Sequence, residues 1–371
     1  MSGSPVTQEA PPRLDALTGI RGIAAWLVVI YHIRLSLLDI VPPQVIAAFA
    51  KGYLAVDLFF VLSGFVLWFN YGERIRDGGR AQVAPFLWRR FARVWPLHAF
   101  ILAAFVGLAL LLSIAGKPSA DYPFAELPLH ILLVQNWGFT SELSWNDPSW
   151  SISTEFAAYC LFPVIALAAN WRALSTFSLA GITALLLTAI AALFAAAGET
   201  TLGADIARFG LWRCLLEFSL GICACLWWER LRDGAGAAGL LAGVAAAILL
   251  AVGLVLRLPE IVWVPALFFA TILALALGRG AVVRLLSTRA AVYMGEISYS
   301  TYLAHFLLFI LFKLAFVGES LQIGWGGLLG FMTLLLVASV ALYHLVELPA
   351  QRWFNARKPR WATAPRMVPA E

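Results

Sequence analysis

Charge is scarce in this 371-residue sequence: 13% of its residues are Asp, Glu, Lys or Arg against 61% hydrophobic ones, which excludes an ordinary soluble domain. Cysteine is scarce too. Cys160, Cys214, Cys223 and Cys225 lie in or beside apolar runs, without the spacing of a disulfide framework or a zinc site, so each reads as a small core residue and no metal site is expected. No cleavable leader is expected either. Residues 1–13 are polar and proline-containing, and the apolar run after Ala16 has no small-residue cleavage site and is too long for a signal h-region. That run is expected to remain as a first membrane span, behind a cytoplasmic tail at 1–13. The net charge of +5 falls in loops between apolar runs, where it suits an anionic leaflet and implies no nucleic acid.

What the sequence does have is apolar runs of about 17 to 25 residues, the length that crosses a hydrocarbon core. They recur near 17–35, 53–70, 95–115, 151–169, 176–197, 208–228, 237–256, 260–278, 292–316 and 323–347. The expected fold is therefore an all-α integral membrane protein with about ten transmembrane helices. A weaker stretch at 127–134, with Pro128 and His130, is too short to span and is expected to be re-entrant or interfacial. With the N-terminus inside, most arginines, from Arg74 through Arg93 to Arg289, fall in cytoplasmic loops. The C-terminal tail adds Arg352, Arg357, Lys358, Arg360 and Arg366. Positive-inside bias thus favours cytoplasmic termini. The loop at 116–150, with Asp121, Glu126, Glu142 and Asp147, is then external and long enough to act as an acceptor-binding lid.

Ionisable residues inside such runs are costly and mark function. Arg21 and His32 are eleven positions apart, three helical turns plus about 20°, so both project from one face about 16 Å apart, toward a shared cavity. Asp57 is the only acid in the apolar run from Gly52 to Phe65, and helix rise puts it at a depth similar to that of His32. A His–Asp dyad is sterically possible. Glu155, in the segment Trp150-Ser151-Ile152-Ser153-Thr154-Glu155, and Arg213 match that level. Ser298, Tyr299, Ser300, Tyr302 and His305 form a polar stripe that ordinary interhelical hydrogen bonding would also explain. On the cytoplasmic side Arg89, Arg90 and Arg93 share a helix entering the membrane, a cluster suited to a phosphate-rich ligand. Positive-inside bias alone would accept any scatter of basic residues there.

By these residues the chain resembles the acyltransferase-3 family of bacterial membrane O-acyltransferases. Arg21 and His32 look like its R-x10-H signature, and residues 52–65 resemble its G-x3-V-D-x-F-F-x-L-S-G-F segment. Arg90, Arg93 and Pro96 match R-x-x-R-x-x-P; 150–159 match W-S-x-x-x-E-x-x-x-Y; 297–305 match I-S-Y-S-x-Y-L-x-H; Glu347-Leu348-Pro349 matches the closing E-x-P. The similarity runs over 14–354, followed by a basic tail at 355–371. His98 stands where the family often has Tyr, and Phe156 where many members have a second Glu, which touches fine substrate contacts. No fused extracellular domain is expected, so the membrane domain would complete the reaction.

The resemblance implies transfer of an acyl group, usually acetyl, from cytoplasmic acyl-CoA as co-substrate to a hydroxyl of a glycan or glycolipid at the outer side of the inner membrane, with no permanently bound cofactor. The site expected is His32, Asp57 and Glu155 for catalysis; Arg21, Arg89, Arg90 and Arg93 for acyl-CoA; and Trp150, Ser153, Arg213, Tyr299, Tyr302 and His305 around the acceptor or its pocket. His32 would be general base and Asp57 would orient its ring. Intramembrane charges also mark substrate pathways, so an exporter or flippase of a polysaccharide or acylated intermediate is the second reading. The sequence shows no internal repeat and no matched pair of interrupted helices, which weighs against it.

Overall fold

A backbone in lipid has to close its hydrogen bonds within itself, so helices follow directly from so apolar a composition. The computed structural model describes residues 14–117, 119–318 and 320–363, and among them all regular structure is helical. In chain order α1 spans Asp15–Ile33, α2 Pro43–Phe49, α3 Ala55–Leu67, α4 Glu73–Gly78, α5 Val83–Ile114, α6 Leu127–Ile131, α7 Ser149–Ala168 and α8 Thr176–Ala195. The second half holds α9 Ile206–Leu231, α10 Ala235–Val255, α11 Glu260–Leu277, α12 Ala281–Leu286, α13 Arg289–Glu296, α14 Ser298–Phe316, α15 Trp325–Leu342 and α16 Leu348–Ala356. The expected tail at 1–13 lies outside the described residues, as does the 364–371 part of the expected C-terminal tail.

Eight helical stretches among the described residues are long and apolar enough to cross a membrane. Two are composite. Pro43–Ile114 contains both α3 and α5, and Ile206–Val255 contains α9 and α10 joined by a single 3-10 turn. Counting by apolar runs takes the partners of each composite stretch separately, which is why the sequence reads as ten segments. The architecture is that of an all-helical, multi-pass membrane protein.

Close packing of α3 on α9 frames the site. A Cβ on Gly64 would lie 1.9 Å from the Phe218 carbonyl oxygen, and one on Gly221 1.9 Å from that of Val61, so the two backbones touch where only glycine fits. Asp57, Val61 and Gly64 share one face of α3; Arg213, Glu217 and Gly221 share one face of α9. The seam that closes on glycine at one end therefore closes on Asp57 and Arg213 at the other, with the two helices running parallel.

Two π-helical segments interrupt this regularity: Trp68–Gly72 directly after α3, and Tyr343–Glu347 between α15 and α16. A π turn holds one residue more than an α turn, so everything after it is rotated relative to an uninterrupted helix. Each segment brings one side chain to the arginine end of α5, Tyr71 in the first and Glu347 in the second.

The long connection after α5 folds back into the bundle. Trp95 donates its indole N–H to the Ile131 carbonyl at 2.9 Å, and His98 Nε2 lies 2.8 Å from the His130 carbonyl. His98 stands roughly 24 Å of helix before the end of α5 at Ile114. Trp137 Nε1 donates to the Ser153 carbonyl at 2.9 Å, and Ser153 Oγ donates to that of Leu133 at 2.9 Å, which fastens the same connection to α7.

Candidate active site

Arg21 of α1, Ser63 of α3, Arg90 and Arg93 of α5, Glu155 and Tyr159 of α7, and Tyr299 and Tyr302 of α14 line a cavity of about 130 Å³. Its apolar wall includes Val56, Phe59, Phe60, Leu62 and Ile152. Five helices contribute, and the charged residues come from the motif segments.

At the arginine end the four guanidinium groups have different surroundings. Arg93 is paired with Glu347, whose other oxygen accepts from Ser300 Oγ at 2.6 Å, and its guanidinium lies 5.6 Å from the Tyr299 ring centre. Arg93 is thus neutralised within the protein. Arg89 and Arg90 have no carboxylate partner among the described residues. Together with Arg74 they surround Tyr71, at 5.3, 5.1 and 5.8 Å from its ring centre. Arg90 also donates to the Tyr71 hydroxyl at 3.2 Å, while Arg89 Nε and Nη2 and Arg90 Nε are buried without hydrogen-bond partners. Buried guanidinium donors without acceptors are expensive. An anion with several oxygens would satisfy them.

In the middle of the cavity Ser63 Oγ donates to Glu155 Oε1 at 2.6 Å. Toward the end of α1 the wall is aromatic: the Phe59 and Tyr302 rings meet edge to face at 6.1 Å between centres. Beyond that wall stand two imidazoles. His305 Nδ1 is 2.6 Å from the Tyr302 carbonyl, so it carries the proton and donates; its Nε2 is then an acceptor, 3.1 Å from His32 Nδ1. His32 Nδ1 shares its hydrogen between that nitrogen and the Val28 carbonyl at 2.9 Å. This assignment, made from the partners, leaves His32 Nε2 with a free lone pair.

Asp57 is not part of that pair. Its carboxylate is fully buried and takes two hydrogen bonds from Arg213, Nε at 2.6 Å and Nη2 at 2.5 Å, a bidentate ion pair. The His32–Asp57 dyad expected from matching depths is therefore corrected to two pairs, His32 with His305 and Asp57 with Arg213. Equal depth says nothing about azimuth. Asp57 lies on the α9 seam of α3, whereas His32 meets α14. Nor do Arg21 and His32 open on one cavity: Arg21 lines it, and His32 is behind the Phe59–Tyr302 wall.

Of the other expected residues, Tyr299 and Tyr302 line the cavity, whereas Ser153 serves to anchor the connection before α7. Trp150 packs between the Arg213 guanidinium, 5.6 Å from its ring, and Phe60. Three residues go unsingled in the sequence reading. They are Ser63, Tyr71 and Glu217, the last fully buried with neither carboxylate oxygen hydrogen-bonded. A signal existed for two of them: Glu217 follows Arg213 by one turn, and Ser63 lies inside the Asp57 motif.

With the geometry in view, comparison decides the kind of protein. A family profile described as an acyltransferase domain matches residues 14–344. The chain belongs to the acyltransferase-3 family. This membrane acyltransferase is 31% identical over 393 aligned residues to the Acyltransferase MdmB of Streptomyces mycarofaciens, an alignment covering 96% of each chain. It is also 31% identical over 186 residues to Protein 2 in the picA locus of Rhizobium radiobacter, covering 46% of this chain and 88% of that one. A Staphylococcus aureus (strain COL) protein whose name ascribes to it an O-acetyltransferase activity is 27% identical over 161 residues, 41% of this acyltransferase and 24% of that protein. No solved structure matches the chain.

Proposed function

We propose that this acyltransferase moves an acyl group, acetyl in the first instance, from cytoplasmic acyl-CoA to a hydroxyl of a glycan or glycolipid at the outer side of the bacterial inner membrane. The observation that carries the reading is a single cavity joining Arg90, whose Nε lacks an acceptor and which with Arg89 surrounds Tyr71, to the part-buried carboxylate–hydroxyl pair of Glu155 and Ser63. Phosphates of CoA are anions with the oxygens those donors need. The cavity between them is narrow and largely apolar, a fit for a short acyl chain.

On this reading the arginine end faces the cytoplasm, as the Lys/Arg bias favours, with both termini on that side. His32 Nε2, on the far side of the aromatic wall, is the base for the acceptor hydroxyl, and His305 replaces Asp57 as the group that holds its ring. Arg93, tied to Glu347, shapes the mouth, while Arg21, Arg89 and Arg90 bind the donor.

The test is incubation of the purified protein in lipid with radiolabelled acetyl-CoA and a panel of glycans and glycolipids, scoring labelled ester. His32→Ala should lower transfer by about 10² to 10⁴ while acyl-CoA binding is kept. Wild-type turnover in a folded His32→Ala protein would move the base elsewhere.

A further inference from the structure

We propose that Ser63 is the first acceptor of the acyl group and Glu155 its base, so that transfer runs through a seryl ester. The inference rests on acyl-CoA being the donor. It begins with the hydroxyls that line the cavity. Tyr299 donates to the Val94 carbonyl at 2.6 Å, and Ser298 to the Gly295 carbonyl at 2.7 Å. Ser151 and Tyr302 share their protons between each other and the Pro148 carbonyl. These four are spent on backbone acceptors, which cannot take a proton. Of the serines that line the cavity Ser63 alone donates to a carboxylate, at 2.6 Å, the arrangement in which a hydroxyl becomes a nucleophile as its proton leaves. None of the four cysteines lines the cavity.

Position supplies the second argument. Ser63 is one helical turn from Phe59, and Phe59 closes the cavity against Tyr302, on whose far side His305 and His32 stand. A donor held at the arginine end and an acceptor held at the imidazoles would come from opposite sides of that wall. CoA is too large and too charged to pass it; an acyl group of a few atoms on Ser63 already lies one turn short of it. The ester lets CoA leave before the acceptor arrives.

The chemistry balances in two halves. Ser63 Oγ attacks the thioester carbonyl as its proton passes to Glu155, and the developing oxyanion sits in a cavity also lined by Arg21 and Arg90. The intermediate collapses with loss of the C–S bond, and the sulfur takes the proton from Glu155 and departs as the thiol of CoA. In the second half an acceptor hydroxyl attacks the seryl ester and gives up its proton to His32. The C–Oγ bond breaks as Ser63 Oγ takes a proton from solvent by way of Glu155, and His32 returns the acceptor's proton to solvent, leaving the product ester, free serine, neutral His32 and ionised Glu155.

The test uses full-length protein in lipid nanodiscs with acetyl-CoA and no acceptor, followed by peptide mass spectrometry and then addition of the acceptor. Expected is one acetyl on Ser63, discharged when the acceptor is added, and absent with transfer in Ser63→Ala. Ser63→Cys should trap the acyl group as a thioester released by neutral hydroxylamine, which separates a lost nucleophile from a lost fold. Three results overturn the proposal. Wild-type transfer without label, with Ser63→Ala at the wild-type rate, refutes the seryl ester alone. A dead Ser63→Ala with no label in wild type or Ser63→Cys leaves Ser63 only the positioning of Glu155. Wild type that neither labels nor releases CoA removes the acyl-CoA reading, and this inference with it.

Discussion

Asp57 shows how far a single residue's role depends on what faces it. A bare acid in an apolar run invites a catalytic reading, yet its bidentate contact with Arg213 in a fully buried seam makes it half of an ion pair. Breaking a buried pair by removing one partner typically costs about 3–5 kcal/mol, because the other charge is left uncompensated, whereas apolar replacement of both is often neutral. Asp57→Ala should therefore unfold the protein at lower temperature, and Asp57→Leu with Arg213→Met should recover much of the loss. An Asp57→Ala protein with wild-type melting but no turnover would return Asp57 to the chemistry. Asp147, in the connection before α7, offers a second check. Burial, with Asp121 adding to it, pushes its carboxyl up to about 6. A raised carboxyl binds its proton more tightly folded than unfolded, so it stabilises fully below its ordinary range, and that stability is lost as pH rises through about 6. Asp147→Asn cannot ionise: relative to wild type it should be near neutral at pH 4 and more stable by on the order of 1–3 kcal/mol at pH 8, read as melting temperature across pH. A difference that does not change with pH would refute the assignment. Depth along a span can be counted in a sequence, so Asp57, Glu155 and Arg213 are legible there as intramembrane charges. The direction each faces cannot, and that is why His305 and not Asp57 proves to be the neighbour of His32.

At the scale of elements the helices are legible because apolar length alone dictates them, but the two π segments are not: the Asn70 and Gly72 of Trp68–Gly72 and the His344 and Glu347 of Tyr343–Glu347 are residues that the ends of ordinary α-helices also carry. Their effect is on facing. In Tyr343–Glu347 the extra residue sets Glu347 against Arg93 and Ser300. Leu345 within it is exposed, 75% of its surface uncovered, so deleting it removes little packing while restoring α geometry. The helix beyond would rotate by about 100°, carrying Glu347 off Arg93. Deletion of Leu345 should lower the melting temperature by as much as Glu347→Ala does, each leaving Arg93 without its acid. It should also weaken acyl-CoA binding more, because α16 would no longer seat on Trp88 through the Phe354 carbonyl. Equal melting of the deletion variant and wild type would show that the π turn is incidental. The same reasoning covers Tyr71: the sequence marks Arg89 and Arg90 as a basic cluster, but only the rotated face after α3 brings an aromatic ring among three guanidinium groups.

For the whole molecule the decisive property is sidedness. The unsatisfied guanidinium donors and the His32–His305 pair are at opposite ends of the site, with the Phe59–Tyr302 contact between them. On the proposed reading the two substrates approach such a cavity from different faces of the bilayer, which a soluble acyltransferase has no need to do. Acyl-CoA carries several negative charges and does not cross lipid, so its side can be controlled. In proteoliposomes of defined orientation, acetyl-CoA should support transfer only from the face that carries Arg74 and Arg90, and a membrane-impermeant glycan acceptor only from the other. Orientation is fixed independently by cysteine substitution: a probe at Gly79, in the link between α4 and α5, and one at Gly138, in the connection after α6, should label from opposite faces. Both positions have positive φ and open space around them, so a side chain there disturbs no packing, and the strain of a non-glycine residue at such an angle is the cost to watch in the controls. Transfer with both substrates on one face would mean that the aromatic wall opens to a common entrance, and the opposed arrangement of donor and acceptor would have to be abandoned. Transfer only with the substrates divided, in the direction set by Gly79 labelling, would give the arginine bias its orientation and the imidazole pair its acceptor side in one measurement.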